Sequence, residues 1–185
     1  MNEKKKLLTK DLTLIAFMAV MIAVCSWISI PLGPVPFTLQ TMGVMLTLGI
    51  LGGKKGTLSV IVWIALGLVG VPVFSGFKAG AGVLLGVTGG YIIGFVFMGL
   101  IYWAITSIFG KSLSFKLIAF VAGLFVCYLF GSVWFMAVYG MGGESISMAD
   151  VLAKCVFPFL IPEVGKIGLA VVILSRLPQS IVSQS

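Results

Sequence analysis

In the apolar segment FPFLIPEVGKIGLAVVIL (157–174), a carboxylate and an ammonium, Glu163 and Lys166, stand three residues apart. A charged side chain in such a setting costs about 2.5–3.5 kcal/mol on insertion scales and marks a ligand site or a pathway. At i and i+3 of a helix the two are neighbours and can pair, so an ion pair that merely locks the helices together is the alternative. Pro158 and Pro162 argue for a ligand, because each removes a backbone donor and frees a carbonyl. The pattern predicts a helix restarting at Pro162, with Glu163 in its first turn where backbone N–H groups point outward. An ammonium in such a pocket receives a carboxylate, and a carboxylate beside it accepts from ligand N–H groups.

A second polar group lies in FTLQT (37–41), directly after the proline loop PLGPVP. Gln40 offers a donor and an acceptor, and Thr38 and Thr41 offer hydroxyls, although threonines also bond back to their own helix. Tyr91, Tyr128, Trp134 and Tyr139 could wall a pocket; interfacial belts use the same residue types. Other chemistries have no residues to carry them. The chain has no histidine, and Cys25, Cys127 and Cys155 sit in three separate apolar segments, which argues against Cys/His metal ligation and a histidine relay. Gly110-Lys111-Ser112 resembles the end of a phosphate loop, but position 105, where that motif needs glycine, is isoleucine. ATP hydrolysis is not expected of this chain, and neither is a cofactor or a metal.

The elements that position these residues must be membrane helices. Of 185 residues 60% are hydrophobic and 9% charged, against about 45–50% and about 25% in a soluble domain, and the mean hydropathy is +1.22. Uncharged runs of 42, 22, 32 and 27 residues separate Asp11 from Lys54, Lys55 from Lys78, Lys78 from Lys111 and Lys116 from Glu144. A spanning helix needs about 20 apolar residues. The expected architecture is an all-α bundle of six transmembrane helices, a single domain over 1–185, with segments at roughly 12–30, 37–52, 56–70, 88–109, 115–139 and 150–175. The first segment is read as a retained helix, since no small-residue cleavage site precedes polar sequence. Gly52-Gly53-Lys54-Lys55-Gly56 is read as a tight turn between the second and third.

Charge orients the bundle. With the amino terminus in the cytoplasm, Lys4, Lys5, Lys6, Lys10, Lys54, Lys55, Lys111, Lys116 and Arg176 fall inside, nine of twelve basic residues, and Glu144 and Asp150 fall outside, with Lys78 and Lys154 nearby. Both termini are then cytoplasmic, in the cell membrane. The net charge of +7 does not suggest nucleic acid, because these charges lie isolated between apolar runs rather than on one soluble patch.

The stretch VPVFSGFKAGAGVLLGVT (71–88) is too rich in glycine for an ordinary helix and too apolar for a free loop. It reads as a lid or re-entrant wall on the outer side, since irregular backbone at membrane depth must line a cavity or be buried in protein. Gly86, Gly90 and Gly94 repeat every fourth residue and suit close packing inside the bundle. Ala16, Ala19 and Ala23 make a second small face on the first helix, fit for a partner protein or for internal packing.

PLGPVPFTLQT (31–41), GVPVFSGFKAGAGVLLGVTGGYIIGF (70–95), YLFGSVWF (128–135) and PFLIPEVGK (158–166), in this order, resemble the BioY family. These are biotin-specific S components of energy-coupling factor transporters. The resemblance implies a six-helix fold that captures biotin near the outer face, and partners consisting of an EcfT-like transmembrane subunit and two ATPases. It also implies docking of that module on the small-residue face of the first helix, where Ala19 and Ala23 match the alanine pattern. The family's last-helix motif has Gly-Asp before the lysine; here Pro162-Glu163 stand there, lengthening the carboxylate by one methylene. On this basis Lys166 is assigned to charge or acceptor recognition, and Glu163 to the ureido N–H groups or to Lys166. Gln40 and Thr41 complete the polar end, and Phe37, Phe74 and Tyr91 supply walls. The competing reading is an ion-coupled or solitary carrier using Glu163 and Lys166 as a relay. An intramembrane enzyme would lack a nucleophile–base pair.

Overall fold

The computed structural model describes residues 9–31, 33–143 and 146–178. Among the described residues, five helices are long and apolar enough to cross a membrane: α1 Thr9–Trp27, α2 Gln40–Leu68, α4 Gly89–Phe109, α5 Leu113–Met141 and α7 Phe157–Arg176. Between them lie a two-stranded hairpin of β1 Ser29–Ile30 and β2 Phe37–Thr38, a 3₁₀ turn Ser75–Phe77, the short α3 Ala81–Leu85 and α6 Met148–Cys155.

The expected boundaries shift for local reasons. Ser29 pairs with Thr38 and Ile30 with Phe37, so the first helix stops at Trp27 and the second starts at Gln40, not 37. The segment expected at 150–175 is two helices, because Val156 leaves helical geometry (φ −125°, ψ −58°) and Pro158 needs no donor in the first turn of α7. Pro162 lies inside α7. Glu163 is therefore a turn deeper than expected, and the helix restarts at Phe157 rather than at Pro162. Ser147 caps α6, accepting from the Asp150 N–H at 3.1 Å and donating to its carboxylate at 2.6 Å.

The helix spanning 40–68 is not straight. Gly52 has φ 76° and ψ 172°, a region open essentially to glycine alone. A side chain at Gly56 would meet the Leu48 Cα at 2.9 Å, although eight residues of straight helix rise about 12 Å. The chain doubles back at Gly52, where the sequence predicts a turn.

Packing relies on bare backbone at helix crossings. A Cβ on Gly90 would strike Trp134, and one on Gly94 would meet the Cys127 sulfur at 2.8 Å, which is how α4 and α5 approach. These two glycines pack internally, as expected; Gly86 lies outside α4, at the end of α3. Ala19 and Ala23 are buried in the same core as Val44, Met45 and Leu48 of α2. This corrects the expectation that they form a partner-binding face: their small size serves the seam with α2, where Gly43 also faces Cys25 and Ile22. Lys54, Lys55, Lys111 and Lys116 line one cavity of about 240 Å³ at the Gly52 end, and Lys55 pairs with Asp11 at 2.8 Å. Lys4, Lys5, Lys6 and Glu144 of the orientation argument lie outside the described residues.

Candidate functional site

The opposite end of the bundle holds a cavity of about 650 Å³. Its polar end is built from three places in the chain. α7 delivers Glu163 and Lys166, only 3% and 6% exposed, on the face that packs inward. The β-hairpin brings the Thr38 carbonyl, and the first turn of α2 brings Gln40 and Thr41.

The Lys166 ammonium donates to Glu163 Oε1 at 2.6 Å, to the Thr38 carbonyl at 2.7 Å and to the Thr41 hydroxyl at 2.9 Å. Its three N–H groups are thus all engaged. Thr41 in turn donates to Glu163 Oε1 at 3.0 Å, and the Phe37 ring lies 4.5 Å from the ammonium, a cation–π distance. Thr38 donates to Gln40 Oε1 at 3.4 Å. Among the described residues, two buried side-chain atoms are left unmatched: Glu163 Oε2 and Gln40 Nε2. One is an acceptor, the other a donor. Buried polar groups without partners are expensive, so this end of the cavity favours a ligand that supplies both.

The walls are apolar and aromatic. Tyr91 rests on Gly131, where a Cβ would enter its ring, lies edge-on to Tyr128 at 6.3 Å, and its hydroxyl is 3.3 Å from that of Ser132. Phe74 is buried over Gly67 and against Trp63, with Phe95 and Phe159 also lining the space. The outer segment expected as a lid or wall does line the cavity through Phe74–Lys78, Val83 and Val87. It is fastened to the end of α1: Trp27 donates to the Pro72 carbonyl at 2.8 Å and stacks on Phe77 at 5.1 Å, and Ser29 bonds Ser75 at 2.7 Å.

Of the residues singled out from sequence, Gln40, Thr41, Phe74, Tyr91, Glu163 and Lys166 line this one cavity. Phe37 does not line it but flanks the Lys166 ammonium. Sequence reasoning missed Trp27, Phe77, Phe159 and Lys78, and left Tyr128 undecided between wall and anchor. Tyr128 had a usable signal: Leu124, Cys127, Tyr128, Gly131, Ser132 and Phe135 recur at helical spacing along the inward face of α5. Lys78 had one too, as a lone cation in the glycine-rich segment.

A donor and an acceptor left unmatched at the end of an apolar cavity ask for a molecule with a polar head and an apolar body. Helices of membrane length set that molecule within a bilayer, so the class is a membrane-embedded small-molecule binding protein. The chain belongs to the BioY family, whose model matches residues 1–182. It is 36% identical over 168 residues to the probable biotin transporter BioY of Pyrococcus horikoshii, covering 91% of this chain and 96% of that one. It is 48% identical over 111 residues to the biotin transporter BioY of Thermotoga maritima, covering 60% and 65%. Its fold matches the crystal structure of the S component for biotin from an ECF-type ABC transporter, with a TM-score of 0.78 and 32% identity over 95% of this chain and 93% of that one.

Proposed function

We propose that this chain is a substrate-capture subunit that binds biotin from the outer face of the cell membrane, with ATP hydrolysis supplied by separate subunits of an energy-coupling module. The observation that carries this is the unmatched pair, Glu163 Oε2 and Gln40 Nε2, in one buried cavity end. Biotin's ureido head offers N–H groups to the first and a carbonyl to the second, and its thioether ring and aliphatic chain suit Tyr91, Tyr128, Phe74 and Phe95. Because all three Lys166 N–H groups are engaged, the lysine acts here by orienting Glu163 and Thr41, not by receiving the ligand's carboxylate. The names of the relatives, biotin transporters and an S component for biotin, support the ligand and the ECF type of assembly.

The reversal at Gly52 supports a count of six crossings from the five membrane-length helices, with the start of α1 and the end of α7 on one side. The lysine cavity at the Gly52 end supports a cytoplasmic placement of that side by the positive-inside rule. With Ala19 and Ala23 turned inward, contact of α1 with a coupling module falls to the exposed Ala16, Phe17, Val20 and Val24. The test is calorimetric titration of the purified chain in detergent with biotin. One tightly bound biotin per chain, weakened by Gln40→Ala, is expected; folded protein that takes up no biotin would remove the assignment.

A further inference from the structure

We propose that Lys78 is the receptor for the ligand's carboxylate, an assignment that rests on the reading of the ligand as biotin. Among the described residues, three charged side chains line the cavity: Glu163, Lys166 and Lys78. The first two neutralise each other at 2.6 Å, and the lysine of that pair has no N–H to spare. Glu163 keeps a second carboxylate oxygen, buried and without a hydrogen-bond partner among the described residues, so a ligand carboxylate at this end would meet a like charge in a poorly solvated place. The polar end therefore suits a neutral head. Among the described residues, the charge left over in the cavity is one positive, on Lys78, which matches a monoanion.

The placement fits a ligand whose head and carboxylate lie at opposite ends. Lys78 is exposed where Lys166 is buried, so it stands at the solvent side of the same cavity. Its backbone is held firmly. The Lys78 carbonyl accepts from the Phe74 N–H at 3.1 Å, closing a tight turn through Gly76 (φ 69°) and Phe77 (φ 58°), two left-handed residues in succession. Phe74 is anchored over Gly67, and Phe77 on Trp27. The side chain lies back across Gly76, its Cε 4.0 Å from where a Cβ would stand. No hydrogen bond or ion pair among the described residues engages the ammonium. A fixed backbone with an uncommitted cation at the mouth is what terminal recognition of an acid requires.

The experiment compares biotin with its neutral carboxamide by calorimetry, on wild type, Lys78→Gln and Lys78→Arg. The wild type is expected to prefer the acid, and Lys78→Gln to cut the acid-to-amide affinity ratio about ten-fold. Lys78→Arg is expected to restore most of that ratio, and the wild-type preference to shrink as salt rises. A Lys78→Gln protein that weakens acid and amide equally, or neither, would overturn the assignment, since a merely structural role does not read the ligand's charge. A wild type that binds neither compound would take away the biotin reading itself, and this inference with it; binding of the amide as tight as that of the acid would overturn the Lys78 role alone.

Discussion

Whether Glu163 and Lys166 read a ligand or only lock the bundle is decided by removing them singly and together. Lys166→Met leaves the Glu163 carboxylate, 3% exposed, without its cation, and strips the Thr38 carbonyl and the Thr41 hydroxyl of a donor. Breaking one side of a buried pair costs about 3–5 kcal/mol, which for a chain of this size lowers Tm on the order of 10 °C. Glu163→Gln is milder, because the amide oxygen still accepts from Lys166 and Thr41; about 1–3 kcal/mol is expected. The double variant Glu163→Gln/Lys166→Met removes both charges and regains most of the stability lost by Lys166→Met, since buried pairs replaced by neutral groups of similar volume are often neutral in effect. Binding behaves differently. In Glu163→Gln and in the double variant the Oε2 acceptor becomes an amide donor, which in the proposed binding mode meets the ureido N–H groups, so biotin affinity is expected to fall about ten- to hundred-fold in both. Thermal unfolding in detergent and calorimetry give the two readouts side by side. A double variant that recovers stability and binds biotin like the wild type would refute the ligand role and leave the pair as a lock.

Three further outcomes test the scaffold. Gly67→Ala puts a methyl into the Phe74 ring and should cost about 1–3 kcal/mol while shifting the outer wall, so that titration shows weaker biotin binding than Gly90→Ala, an overpacking change against Trp134 that calorimetry should register chiefly as lost stability. Gly52→Ala forces an alanine to φ 76°, ψ 172° and is expected to lose about 1–3 kcal/mol in thermal unfolding; no loss would speak against the reversal there. With Cys25, Cys127 and Cys155 replaced, a cysteine at Phe77 should react with a membrane-impermeant maleimide on intact cells and one at Lys111 should not; labelling at Lys111 alone would invert the orientation.

The chemistry was more legible than the architecture around it. Charges inside an apolar run are rare enough to stand out, so Glu163 and Lys166 were readable from sequence, and FTLQT drew notice as polar residues beside a proline loop. Their meeting was not readable, because it joins positions 122 to 128 residues apart through tertiary packing alone. Element ends failed where short-range pairing competed with helix: two residues of hairpin at 29–30 and 37–38 moved two boundaries. Pro162 reads as a helix start in the sequence because proline favours the first turn. In a packed bundle a proline early in a helix is tolerated, and Pro158 was the real one. The alanines misled for a related reason: small residues signal close approach, and sequence does not say whether the approaching surface belongs to another protein or to α2.

The geometry also explains why a longer carboxylate fits where the BioY family's usual aspartate would stand. Glu163 sits one turn into α7, and only one of its oxygens is held, by Lys166 and Thr41 together. The extra methylene leaves the second oxygen outside that hydrogen-bond network, buried and without a partner among the described residues. Lys166, with the Thr38 carbonyl and the Phe37 ring on its other sides, then serves as the fixed post against which that oxygen is aimed. Preorganisation of this sort lowers the cost of ordering the site when the ligand arrives. It predicts that Thr41→Val, which removes a donor to Glu163 and an acceptor for Lys166 without touching either charge, weakens biotin several-fold while the acid-to-amide ratio set by Lys78 stays put. A Thr41→Val protein with wild-type affinity would mean that Glu163 needs no such aiming.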